Sequence, residues 1–232
     1  MSLIPFGFFK KSKPPIPTTN LRLYYNFEGE NSWYDGSGST VKDFSPDQAN
    51  GILSGGVGWI SDAGGAMSFV SSSSRYISTG RSSSDLGIYY GDWSIVYVAR
   101  FPNLTGTKYV FGSTTAPGYQ ANAYSGAVDD DIVYTHNSGG EPKYLNISAN
   151  QWYHVVCSYK YDTYVAKIYI NGTVQVSNGF QERMIGLYNI YIGRVNTTYY
   201  DFDLGLAMVY NRVLTDQEIS DIYNNQRTRF NI

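Results

Sequence analysis

From Leu21 onward the chain alternates short apolar segments with clusters of Gly, Ser, Asn and Asp, the rhythm of an all-β sandwich. "LRLYYNF" opens the series. In "WSIVYVARF", Trp93, Ile95, Tyr97, Ala99 and Phe101 fall on one face and Val96 and Val98 on the other. Neither side is polar, so a central strand covered on both faces is expected. "QWYHVVCSYKY" repeats the pattern, with Trp152, His154 and Val156 opposing Tyr153, Val155 and Cys157. Then "KIYINGTVQV" sets Asn171-Gly172 between two β-branched runs, the pair favoured where both central residues of a type I′ turn need positive φ. This predicts a two-residue hairpin pairing Tyr169 with Val174 and Ile170 with Thr173.

"YNIYIGRV" and "DLGLAMVYN" supply two further strands, and only then does the period change. In "VYNRVLTDQEISDIYNN", Thr215 suits an N-cap, Glu218 stands three residues on for a capping box, and Leu214 and Ile219 hold the positions of a hydrophobic staple. Ile219, Ile222 and Tyr223 make an apolar stripe wide enough for about a turn and a half against a sheet.

Composition agrees with strands. Aromatics make up 16% of the 232 residues, with 23 Tyr, and charged residues only 16%. Formal net charge is -2, so there is no basic field to hold nucleic acid. The single cysteine, Cys157, excludes a disulfide within the chain and is expected as a small buried side chain. No run of apolar residues is long enough for a membrane-spanning helix.

Residues 1–20 differ from the rest. Phe6, Phe8 and Phe9 precede Lys10, Lys11 and Lys13, followed by Pro14, Pro15 and Pro17. The apolar stretch comes before its basic residues, the reverse of a secretory signal. Proline removes backbone donors, so an extended arm is expected, docking through Phe6, Phe8, Phe9, Lys10 and Lys11 on another chain. The domain proper is then 21–232.

The succession "LRLYYNFEGE", "VKDFSPDQANGIL", "GGAMSFVSSSSRYIS", "WSIVYVARF", "QWYHVVCSYKYDTYVAKIYINGTVQV", "IYIGRV" and "LGLAMVYNRVLTDQEISDIY" resembles the laminin-G-like domains of the concanavalin-A-like lectin and glucanase superfamily. The resemblance implies two antiparallel sheets packed as a jelly roll, with one short C-terminal helix against them. It also implies rim loops that bind glycans or proteins. Many relatives hold a structural calcium ion, and Glu28, Asp43 and Asp203 lie in the corresponding segments. Leu206 stands where family members often carry an acidic residue, which weakens a metal site built there.

Glucanases of the superfamily carry a Glu-x-Asp-x-x-Glu strand, which sets two carboxylates into one cleft. Here Glu28, Glu30, Glu141, Glu182 and Glu218 make no such pattern. His136 and His154 are the only histidines, and His154 reads as a hydrogen-bonded strand residue. No Gly-x-Ser-x-Gly elbow is present. "VDDDIVY" reads as a charged turn tip. No catalytic residue and no required cofactor are therefore expected.

A contact surface remains. Tyrosine offers a large amphipathic face at low entropic cost, which suits half-wet glycan or protein interfaces. The candidates are Tyr89 with Tyr90, Tyr119 with Tyr124, and Tyr199 with Tyr200; tyrosine is equally at home as a plain strand residue. The closing segment also resembles the ends of laminin-G-like domains in bacteriophage structural proteins. The expectation is a non-enzymatic virion protein, a capsid decoration or fibre component, holding other virion proteins through its arm. A glycan ligand and a homo-oligomer fit the same reading. A bacterial surface or secreted carbohydrate-binding module is the alternative, and a glycoside hydrolase the third.

Overall fold

The computed structural model describes residues 13–29, 39–56, 58–113, 123–128, 131–133, 143–144, 147–179 and 189–232. Two antiparallel sheets dominate. The first runs in the order Thr173–Gly179, Val165–Ile170, Trp152–Lys160, Trp93–Arg100, Phe202–Tyr210, Ala66–Phe69 and Trp59–Ile60, with Leu21–Asn26 also paired to Phe202–Tyr210. The second runs Lys143–Tyr144, Asp131–Val133, Ala123–Val128, Thr107–Ser113, Asn189–Ile192, Tyr76–Ser82, Gly51–Ser54 and Thr40–Val41. A two-stranded ribbon, Arg194–Val195 with Thr198–Tyr199, stands apart from both.

Alternation sorts each strand between two cores. Trp93, Ile95, Tyr97, Ala99 and Phe101 pack between the sheets with Val110, Phe111, Ile190, Ile192 and Ile77. Val96 and Val98 join Trp152, Val156, Tyr169, Leu206 and Met208 on the far side of the first sheet. That far side is covered by the helix Asp216–Phe230, which contributes Ile219, Ile222 and Phe230. Strand Trp93–Arg100 is thus central and dry on both faces, as its sequence predicts. Cys157 is buried in the inter-sheet core, outside any disulfide.

The hairpin forms in the predicted register, Tyr169 opposite Val174 and Ile170 opposite Thr173, with a register shift just before it. Asn171 and Gly172 both take positive φ, 50° and 78°. A methyl at position 172 would lie 2.8 Å from the Tyr223 ring, so the hairpin tip also needs glycine to meet the helix.

The helix begins as expected and ends later. Thr215 Oγ1 accepts from the Glu218 N–H at 3.2 Å, Glu218 Oε2 accepts from the Thr215 N–H at 2.9 Å, and Arg212 grips the same carboxylate at 2.7 Å through each terminal nitrogen. Instead of a turn and a half, it runs for 15 residues, because Gln226 and Phe230 extend the buried stripe. Arg229 fixes the far end. It donates to Ala63 O at 2.9 Å, Asn26 Oδ1 at 2.8 Å and Gly65 O at 2.5 Å, while burial lowers its pKa.

Residues 13–20 lie along their own domain. Tyr210 donates to Pro17 O at 2.9 Å, Asn225 to Pro14 O at 2.7 Å and Arg212 to Thr19 O at 3.0 Å, while Ile16 packs on the outer core. Among the described residues no helix is long and apolar enough to cross a membrane.

Candidate ligand-binding surface

The outward face of the second sheet carries a patch of aromatics. Strand Tyr76–Ser82 points Ile77 and Thr79 inward and leaves Tyr76 and Ser78 outward; strand Asn189–Ile192 buries Ile190 and Ile192 and leaves Tyr191 outward. Tyr191 and Ile52 both pair with Ser78, so the three form one cross-strand row on the outer face. Ile52 is 58% exposed, an uncommon position for a large apolar side chain.

Gly193 then turns the chain with φ 80°; a methyl there would stand 2.5 Å from the Phe69 ring. The ribbon that follows sits on Gly112, whose missing side chain leaves room for Val195. Its two strands set Arg194 directly opposite Tyr199. The Arg194 guanidinium lies 4.8 Å from the Tyr76 ring centre, 5.0 Å from Tyr191 and 5.8 Å from Tyr199. Its Nε donates to Asn196 O at 2.5 Å. The rings support one another, Tyr76 lying 5.8 Å from both Tyr191 and Tyr199. Each contact is a cation–π or aromatic pair worth about 0.5–1.5 kcal/mol, so together they hold the arginine in a defined pose. Tyr200 packs edge-on against Tyr109 at 5.5 Å, and burial pushes its pKa up to about 12.

The other tyrosine candidates are placed elsewhere. Tyr89 and Tyr90 meet with tilted rings at 4.1 Å, with Tyr161 6.4 Å beyond Tyr90 and Tyr164 a further 6.4 Å on. This group adjoins Trp93 and Tyr159, whereas Tyr199 and Tyr200 precede the pairing of Asp203 with Arg100 at the opposite end of the same strands. Seven residues of strand put roughly 23 Å between those ends. The two pairs therefore make two surfaces. Phe6, Phe8, Phe9, Lys10, Lys11, Tyr119 and His136 lie outside the described residues, as does the side chain of Tyr124.

Among the described residues the three carboxylates expected at calcium form no cluster, and each is engaged elsewhere. Asp43 is buried, and its oxygens accept from the N–H groups of Tyr24 at 2.8 Å, Ser45 at 2.9 Å and Ala49 at 3.1 Å, and from the Ser45 hydroxyl at 2.8 Å. It organises its own loop. Asp203 Oδ2 accepts from Arg100 Nε at 3.0 Å and Nη2 at 2.8 Å. Glu28 is an exposed partner of Arg229 at 3.8 Å. Among the described residues no cluster of three metal-ligating side chains forms. Asp201, the alternate neighbour of Asp203, accepts from the Ser71 N–H at 2.7 Å, so both members of this pair hold hydrogen bonds within the fold.

His154 departs from expectation as well. Its side chain is fully buried beneath Tyr223, and among the described residues neither ring nitrogen finds a hydrogen-bond partner. Burial holds its pKa down at about 3.

A cleft of about 500 Å³ opens where the helix ends, bordered by Asp62, Arg100, Trp152, Arg229 and Asn231. Its charged groups are already committed: Arg100 bridges Asp62 and Asp203, Trp152 is sandwiched by Arg100 at 5.0 Å and Phe230 at 4.9 Å, and Arg229 is spent on backbone carbonyls. This is a clasp rather than a ligand site. The Arg194 surface is the better candidate because its cation is held but not neutralised.

Of that surface, sequence reading finds only Tyr199, whereas Tyr200 packs against the inter-sheet core. Tyr76, Tyr191, Arg194 and Ile52 are missed, although period-two alternation in "RYIS" and "YIGRV" places Tyr76 and Tyr191 on outward positions. What alternation does not give is that their strands are neighbours.

Residues 71–220 match a laminin-G family model of the concanavalin A-like lectin/glucanases superfamily. The chain belongs to this superfamily. Among curated proteins none matches. Among solved structures, the binding domain of botulinum neurotoxin DC, in complex with rat synaptotagmin II, is similar with a TM-score of 0.67 and 16% identity, over 91% of this chain and 52% of that one. The binding domain of Paraclostridial Mosquitocidal Protein 1 gives 0.67 and 17%, over 89% and 52%. Trypanosoma rangeli sialidase gives 0.65 and 15%, over 94% and 36%. The chain spans about a third to a half of these proteins, and the likeness is one of fold.

Proposed function

We propose that this chain is a non-enzymatic binding module that takes a glycan on the tyrosine surface around Arg194. The carrying observation is that Arg194 stands among Tyr76, Tyr191 and Tyr199 on an outward sheet face, beside the exposed Ile52. Flat aromatic rings cover the C–H faces of sugars, and a fixed hydrogen-bond donor reads their oxygens. Membership of a lectin-containing superfamily supports the reading, as do neighbours whose names describe binding domains. Absence of activity is part of the proposal: the alternate carboxylates are engaged in structural bonds.

Glycan-array screening followed by calorimetry tests it. Tyr191→Ala and Tyr76→Ala are each expected to weaken binding at least about tenfold, with a melting curve to check that each variant is folded. A full-affinity double variant contradicts the site; turnover of a sugar polymer contradicts the non-enzymatic reading.

The module's place is proposed to be on a virion, as a decoration or fibre component, on the strength of its closing segment's resemblance to phage structural proteins. Co-sedimentation of the protein with particles supports this placement. Recovery on a bacterial surface or in the medium, free of particles, favours the carbohydrate-binding alternative.

A further inference from the structure

We infer that the ligand of the Arg194 surface carries a carboxylate, so that the module selects acidic sugars over neutral ones; this rests on the glycan-binding reading above. Apart from Arg227, which is exposed on the helix, the other described arginines are committed within the fold. Arg22 and Arg81 share Asp47, Arg100 holds Asp62 and Asp203, Arg212 holds Glu218, and Arg229 lies against Glu28. Arg75 lacks an acidic partner but is spent on the carbonyls of Gly56 and Ser68. Arg194 differs from all of these: it is half-buried among rings, only its Nε is engaged, and among the described residues no carboxylate meets it.

Partial burial of a guanidinium against aromatic faces removes water and strengthens its attraction to an anion. The bond to Asn196 O and the flanking rings fix the plane of the group, so the ordering cost of binding is already met. The terminal nitrogens, Nη1 and Nη2, form the fork that matches a carboxylate in two parallel hydrogen bonds. The tyrosines then take the ring that bears the acid. A neutral sugar would meet the tyrosines and offer the fork only hydroxyl oxygens, leaving its charge unmatched.

The test measures affinity for oligogalacturonate and for sialyllactose beside the same molecules with their carboxyl groups reduced. The wild-type protein is expected to bind at least one acid form about tenfold or more tighter than its reduced counterpart, with a preference that falls as salt rises. Arg194→Gln should bring the acid and reduced forms to equal affinity. Arg194→Lys, which keeps charge and bulk but not the fork, should restore only part of the preference, and a melting curve checks that each variant is folded. Equal affinity of the wild type for acid and reduced forms overturns the inference and leaves the glycan-binding reading standing. Binding to neither form overturns both.

Discussion

Phe230 lies with its ring over Gly205, in the space where a side chain at position 205 would have to stand. The contact joins the last turn of the helix to the register shift in the strand Phe202–Tyr210. At that shift Leu204 and Ala207 both face the inter-sheet core, so the strand changes phase where the helix touches it. Gly205→Ala is expected to cost about 2 kcal/mol by forcing the ring outward, and Phe230→Ala about 3 kcal/mol by emptying the site. Chemical denaturation measures both; a double variant with less than the summed loss confirms that they share one contact.

The capping box gives a second prediction. Thr215→Ala removes the acceptor for the Glu218 N–H and should cost about 1 kcal/mol. The Arg212 bond, with help from Thr215, holds the Glu218 carboxyl down at about 2, below its ordinary 4.5. A depressed carboxylate pKa contributes stability that is complete above pH 4.5 and lost as pH falls toward 2. Glu218→Gln should remove that part of the acid slope, as read from melting temperatures across the window.

His154 acts in a neighbouring window by the opposite chemistry. Burial lowers its pKa from 6.5 to about 3, so below pH 6.5 the unfolded chain takes up a proton that the folded chain refuses. Stability from this group is full above 6.5 and declines as pH falls toward 3. His154→Leu should flatten the profile between those values. An unchanged slope would show that the imidazole is already charged in the folded protein.

Deleting residues 1–20 removes the carbonyls that receive Asn225, Tyr210 and Arg212, together with Ile16, and should cost on the order of 3 kcal/mol. For a domain of this size that is roughly a 6–12 °C drop in scanning calorimetry.

What the sequence discloses is whatever depends on neighbours along the chain. The Asn171-Gly172 turn, the Thr215 cap and the two dry faces of Trp93–Arg100 follow from local pattern. The helix is under-read because Gln226 is polar yet buried, which hides the continuation of the stripe to Phe230. The calcium expectation misplaces Asp43 and Asp203 because nothing in their own segments announces that Ser45 and Arg100 will claim them. Likewise the binding surface is scattered through the sequence: Tyr76, Tyr191 and Arg194 meet only when the strands Tyr76–Ser82 and Asn189–Ile192 pair.

The most direct test of the central claim is where a bound acidic oligosaccharide touches the folded protein, mapped by NMR shift changes on titration. The account predicts that the largest changes fall on Tyr76, Tyr191, Arg194 and Tyr199. Changes centred instead on Trp152 and Asn231, or on Tyr89 and Tyr90, would contradict it.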